Sequence, residues 1–305
     1  LFKCLPRTSL GVYPLCLGGN VFGYSVDKDN SEAVLSFYAD NGGNFIDTAD
    51  MYSQWAPGHI GGESESIIGN WMKKKGNRSQ MVIATKVGKL YTKPGLSPSN
   101  IISACEDSLK RLESDYIDIY YSHQDDLDTP IEQSLGAYDS LIRSGKVRYI
   151  AASNFTPERL QESLDISKEL NLASYIASQD QYNLMEREYE RTLRATLEKN
   201  NLSQIPFYGL ARGFLTGKYR PGASVESVRA TGVSNAYGNE RGWTMLEKLD
   251  QIAKERKTSI ASISLAWLRA QRTVAAPIAS ATKLEQIKEI MPIVDLNKEE
   301  LALLS

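Results

Sequence analysis

The chain has 305 residues, with 35 Lys+Arg against 37 Asp+Glu, a formal net charge of -2 and 42% hydrophobic residues. That balance suits one large α/β domain and leaves no basic stripe for nucleic acid and no apolar run long enough to span a membrane. Three cysteines without a CxxC pair and only two histidines, His59 and His123, argue against a disulfide framework and a His-rich metal centre.

In chain order, residues 1–10 are expected to form a short hairpin at one end of the domain. No secretory signal pattern opens the chain, so a reduced, cytoplasmic protein is expected. Eight short apolar runs follow: "VYPLCLGG" (12–19), "FIDTA" (45–49), "MVIATK" (81–86), "YIDIYYS" (116–122), "VRYIAAS" (147–153), "YIASQDQ" (175–181), "IPFYGL" (205–210) and "VAAPIAS" (274–280). Several lack strict alternation, as strands covered on both faces do.

Helical patterns with their own punctuation lie between the runs. Ser97-Pro98 and Thr156-Pro157 each open a helix, and Ile101, Cys105, Leu109 and Leu112 share one face of the first. Thr129, Pro130 and Glu132 read as a capping box, with Gly145 as the stop. Thr282 and Glu285 read as another box after the eighth run. The stretch 213–240, rich in Gly, Ser and Arg, reads as a long mobile loop. Strand and helix in eight alternations predict a single (β/α)8 TIM barrel over 1–305, and no GxGxxG follows the first strand to favour an open doubly wound sheet.

In such a barrel chemistry sits where strands end. The ends carry Asp47 with Tyr52 beyond it, Lys86, His123, Ser153 with Asn154, and Gln179. Singly, each has an ordinary reading: a surface lysine, a loop-capping aspartate, a satisfied histidine, one tyrosine of 16. Together they supply parts of one reaction. A phenol of pKa ~10 is a poor proton donor unless a cation lowers it, and a buried lysine stays charged only beside a counter-ion. Asp47 is expected to hold Lys86 charged, Lys86 to tune Tyr52, and His123 to hydrogen-bond a carbonyl or relay protons. A site that protonates a carbonyl without a nucleophile wants hydride from a nicotinamide, whose amide Ser153, Asn154 and Gln179 can bind.

The motifs "NFIDTADMY", "VIATKVG", "SLKRLESDYIDIYYSHQDD", "GKVRYIAASNF", "QDQYNL", "GLARGFLTGKY" and "PIASATKLEQIKE" resemble the aldo-keto reductases over essentially the whole chain. The style is that of the bacterial reductases related to potassium-channel β-subunits. The resemblance implies an NADP(H)-dependent reductase of aldehydes or ketones, with Tyr52 as general acid and Asp47, Lys86 and His123 in support. The channel subunits lack that histidine, so His123 favours a working enzyme. A cofactor-binding redox sensor with slow turnover is the alternative; a Schiff-base aldolase using Lys86 is disfavoured by the Asp47 partner.

The resemblance also implies contacts. Gly18, Gly19 and Asn20 join the cofactor set. Phe207 aligns where an aromatic stacks on the nicotinamide, with Tyr208 the substitute because Tyr208-Gly209 replaces the family's Ser-Pro. Tyr208, Gly209, Leu210 and Arg212 line the pyrophosphate and Lys218 closes over it. Ser280, Thr282 and Lys283 meet the adenosine phosphate, with Lys283 on the 2′-phosphate; Arg229 is a further candidate. Gln286 and Glu289 meet the adenine, and Ile290 stands where the family often has Asn. Phe22, Tyr24, Trp55 and Trp243, with Asn20, are expected to wall the pocket of a small carbonyl substrate.

Overall fold

The structure is a computed structural model that describes residues 2–223, 225 and 230–305. Eight parallel strands carry it: β1 (Cys16–Gly18), β2 (Phe45–Asp47), β3 (Val82–Val87), β4 (Ile117–Ser122), β5 (Val147–Ser153), β6 (Tyr175–Gln179), β7 (Ser203–Gln204) and β8 (Ile278–Ala279). Their spatial order is 7-6-5-4-3-2-1-8. The ring closes because the segment leading into β8 pairs with β7. Gln204 N donates to Thr273 O at 2.8 Å and Ala275 N to Gln204 O at 2.9 Å. The fold is the (β/α)8 barrel that the alternation predicts.

Side-chain parity fills the ring. Phe45, Val82, Ala84, Ile119, Ala151 and Ala177 form one inner cluster, while Ile46, Ile83, Tyr120 and Ile150, one residue along, pack outward against the helices. This is the period-two rule of a strand. At the strands' N-terminal end a hairpin, Lys3–Cys4 with Gly11–Val12, sends Leu5, Leu10 and Val12 into the inner cluster as a plug. The expected N-terminal hairpin is present.

The helices cover the outside: α1 (Lys28–Asp40), α2 (Glu63–Lys75), α3 (Pro98–Leu112), α4 (Ile131–Arg143), α5 (Pro157–Glu169), α6 (Arg194–Asn200), α7 (Ala230–Tyr237), α8 (Glu240–Arg256), α9 (Ile260–Arg269), α10 (Leu284–Ile290) and α11 (Lys298–Leu303). Ser97 and Thr156 cap α3 and α5 through their side chains, each followed by proline. Four expectations need correction. The cap of α4 is Pro130 with no side-chain bond, because the Thr129 hydroxyl donates instead to Asp126 at 2.8 Å. The box at α10 is absent: Gln286 Oε1 accepts from both the N–H and the hydroxyl of Thr282, which displaces Glu285. The seventh strand starts earlier than 205–210, at Ser203, and its parallel pairing with β6 runs on through Ile205 N to Ser178 O at 2.9 Å and Phe207 N to Asp180 O at 3.2 Å. Within 213–240, α7 forms and buries Val233 and Tyr237, so that stretch is not one open loop. No helix among the described residues is long and apolar enough to cross a membrane.

Candidate active site

Parity again decides what lies at the top of the barrel. Phe45 and Asp47 share one face of β2, and Val82, Ala84 and Lys86 one face of β3. Asp47 and Lys86 therefore form the polar top layer over an apolar interior. Their side chains are 2% and 0% exposed, and Lys86 Nζ lies 2.5 Å from Asp47 Oδ2. The ammonium spends its other donors on Thr48 O at 2.8 Å and Tyr52 OH at 2.9 Å. Tyr52 OH in turn donates to Asp47 Oδ2 at 3.2 Å, and Gln179 Nε2 donates to Asp47 Oδ1 at 2.8 Å. A buried carboxylate thus receives a cation and two further donors, which offsets its desolvation.

One electrostatic expectation is outweighed. Burial pushes the Tyr52 phenol well above its usual ~10, and Asp47 pushes the same way by charge and by hydrogen bond, so the Lys86 contact does not bring it down on balance. Lys86 is ion-paired with Asp47 at 2.5 Å, so the phenol faces an ion pair and not a bare cation. The consequence is a phenol that stays protonated and able to donate.

His123 stands with its ring centroid 6.2 Å from that of Tyr52, nearly perpendicular. Its backbone N–H is tied to Val87 O at 2.9 Å. Burial, then the charges of Lys86 and Lys89, hold its imidazole pKa well below 6.5, so the ring is neutral at pH 7. Its Nδ1 is buried without a partner among the described residues.

The strands next round the ring bring Ser153, Asn154 and Gln179 together. Ser153 Oγ donates to Gln179 O at 2.7 Å, and Asn154 Nδ2 to Ser153 Oγ and His123 O at 3.0 and 2.9 Å. Asn154 sits at φ +58°, held by Asp180, which accepts its N–H at 3.1 Å. Asp180 itself is raised to about 6 by burial.

Further round, Ser280 Oγ donates to Asn20 Oδ1 at 2.5 Å. A Cβ on Gly18 would lie 2.5 Å from that Oγ, and one on Gly19 would lie 2.8 Å from Ser64 Oγ. Both glycines are explained by close packing. A Cβ on Gly209 would press on Ile278 O at 3.1 Å and on Leu268, so it too is packed from behind. Phe207 is half-buried against the inner cluster, whereas Tyr208 at φ +55° is 38% exposed, with the Arg212 guanidinium 4.8 Å above its ring. Leu210 precedes the short helical turn Ala211–Thr216, and Lys218 folds past Gly213, its Nζ 5.4 Å from the Tyr219 ring. Lys283, Gln286 and Glu289 are exposed on α10 and Thr282 half-buried, but Ile290 is buried in the core and replaces no surface contact. Arg229 lies outside the described residues.

Of the expected pocket wall, Tyr24 and Trp55 meet edge to face at 5.6 Å, and Trp55 reaches Tyr52 at 6.2 Å. Phe22 is fully buried in the outer core, packed with the helix-facing side chains, and presents no surface to a substrate. Trp243 packs on Phe214 at 5.8 Å beneath α7 and makes no ring contact with the Tyr24–Trp55 pair.

Three features escaped sequence reasoning. Gln54 clamps the hairpin Lys89–Leu90/Lys93–Pro94, giving its Nε2 hydrogen to Lys89 O and accepting from Tyr91 N. Glu65, fully buried on α2, accepts from Thr85 and from Arg111 at 2.5 and 2.6 Å. Asp50, between Asp47 and Tyr52, is buried with neither oxygen hydrogen-bonded, and burial with the nearby Glu65 raises it to about 8. Only the acid inside an apolar stretch signalled it.

A profile of the Aldo/keto reductase family matches residues 14–305. The chain belongs to the aldo/keto reductase family. An uncharacterized oxidoreductase, YrpG, of Bacillus subtilis is 33% identical over 316 aligned positions, covering 100% of this chain and 94% of that one. A probable voltage-gated potassium channel β-subunit of Arabidopsis thaliana is 31% identical, with coverage of 97% and 91%. An L-glyceraldehyde 3-phosphate reductase of Escherichia coli is 30% identical, with coverage of 93% and 83%. Family membership makes this aldo/keto reductase an oxidoreductase, in a family whose members use nicotinamide cofactors.

Proposed function

We propose that the chain is an NADP(H)-dependent reductase that converts aldehydes or ketones to alcohols, with Tyr52 as the proton donor. The observation that carries this reading is the three-way contact of Asp47, Lys86 and Tyr52 beside a neutral His123. A nicotinamide, which Ser153, Asn154 and Gln179 would hold, would supply the hydride. The chain's own residues do the rest. His123 gives a hydrogen bond to the carbonyl oxygen from an uncharged ring, which polarises it without competing for the proton. Tyr52 passes its proton to the oxygen as charge develops there, and Lys86 stabilises the phenolate left behind. Asp47 keeps the ammonium in place through the exchange.

The residues present suit the cofactor. Ser153 and Asn154 offer a hydroxyl and an amide at the barrel mouth, and Tyr208 is the ring open to stacking, with Phe207 supporting it edge-on at 5.1 Å. We assign the stacking role to Tyr208 on that ground. Arg212, Lys218 and Lys283 would hold phosphates along the β7–β8 rim, with Asn20 and Ser280 between them. The test is a panel of aldehydes and ketones with NADPH followed at 340 nm and the same panel with NADH. Turnover with NADPH above NADH is expected; no hydride transfer to any carbonyl would sink the reading and leave the cofactor-sensing alternative.

A further inference from the structure

Beside the Tyr52–His123 site, Lys89 has no acid to answer it among the described residues. Lys89 opens the hairpin that follows β3, and its backbone is pinned there. Gln54 Nε2 donates to Lys89 O at 3.1 Å, and Gln54 stands two residues from Tyr52. On the other side, His123 N is bonded to Val87 O, two residues before Lys89. Lys89 is half-buried, and among the described residues its ammonium makes no ion pair or hydrogen bond.

Most acids around the mouth are occupied elsewhere, and Asp50, raised to about 8 by burial, is uncharged at pH 7. Asp47 holds Lys86. Asp125 holds Arg159 at 2.7 Å. Asp126 accepts from Leu96 N, Asp128 N and the Thr129 hydroxyl. Glu63 accepts from Ile60 N and faces His59. At His123 burial acts first, and the charges of Lys86 and Lys89 push the same way. Across the mouth, Tyr24 and Trp55 offer aromatic faces and no charge.

We propose that Lys89 is a specificity-determining residue that selects carbonyl substrates carrying a compact anion, phosphate or carboxylate, a few atoms from the reacting carbon. The inference rests on the carbonyl-reductase reading and adds the substrate class to it. The carbonyl lies under Tyr52 and His123, the carbon chain runs past Trp55, and the anion meets the Lys89 ammonium at the hairpin. Lys86 cannot take that anion, because its three donors are already used. An exposed-side cation of this kind acts mainly on encounter and binding, so its effect falls with added salt.

The experiment uses matched pairs, glyceraldehyde with glyceraldehyde 3-phosphate and butanal with 4-oxobutanoate, on wild type, Lys89→Met and Lys89→Arg. The quantity read is the ratio of kcat/KM for the anionic partner to that for the neutral one. Lys89→Met is expected to lower the ratio about tenfold, chiefly through KM, and Lys89→Arg to restore most of it. Salt should lower the wild-type ratio and leave the Met variant's ratio flatter. A fall in the phosphate pair alone, or in the carboxylate pair alone, identifies the anion. An equal ratio in wild type and Lys89→Met overturns the proposal. If wild type reduces none of the four, the broad aldehyde and ketone panel decides the carbonyl-reductase reading separately. Calorimetric binding of glycerol 3-phosphate against glycerol then decides on Lys89: binding lost in Lys89→Met supports the anion site, and equal binding overturns it.

Discussion

Two arcs of the barrel mouth differ in how finished they are. On the β2–β3–β4 arc, Asp47, Lys86 and Tyr52 are bonded to one another, Gln179 of β6 reaches across to Asp47, and Lys86 is fully buried with every donor used. On the β7–β8 arc, Tyr208, Arg212, Lys218 and Lys283 are exposed, and the chain takes left-handed turns at Tyr208, Ala211 and Arg212. The first arc is preorganised for chemistry. The second is an exposed rim with left-handed backbone turns. Electrostatic catalysis gains from groups fixed in advance, whereas a long cofactor has to enter and leave.

Breaking the first arc should therefore cost more than trimming the second. Tyr52→Phe keeps the ring and removes the proton; turnover should fall by ~10²–10⁴-fold while cofactor binding, read by fluorescence, persists. Lys86→Met leaves Asp47 buried without its cation, so urea unfolding should show a loss of ~3–5 kcal/mol as well as lost activity. Asp50→Asn sharpens the contrast from inside the catalytic arc. The folded carboxyl titrates at about 8 rather than 3.8, so between those values the folded state holds the extra proton and stability falls as pH rises, by ~1.4 kcal/mol per unit, levelling off above the folded value. The Asn variant should match wild type near pH 4, exceed it at pH 8 and lose that slope in a denaturation series; an unchanged slope would exonerate Asp50. Least costly is the second arc. Lys283→Ala should weaken NADPH by about tenfold and NADH hardly at all, as measured by Kd; equal losses would remove Lys283 from the 2′-phosphate.

Much of the first arc was legible because strand parity is a local rule. An aspartate one step beyond Phe45 and a lysine in step with Val82 and Ala84 must both look into the barrel wherever the fold closes. The helix starts at Ser97-Pro98 and Thr156-Pro157 were legible for the same reason, since a cap depends on three or four neighbouring residues. The failures involve partners distant in sequence or competition between neighbours. Thr129 was taken by Asp126 and Thr282 by Gln286, so neither capping box formed. Phe22 and Trp243 were drawn into packing that no pattern announces. The Gln54 clamp on Lys89 joins loops 35 residues apart.

By itself the sequence determined the eightfold alternation, the inward polar layer of Asp47 and Lys86, and membership of a family with that layer, because each depends on local period and residue type. Only the tertiary structure decided that Tyr52 is held protonated by burial beside an ion pair, that burial raises Asp50 to about 8, and that Lys89 has no ion-pair partner among the described residues. Those properties are sums of fields and desolvation over groups from several strands, and no stretch of chain contains them until the ring closes.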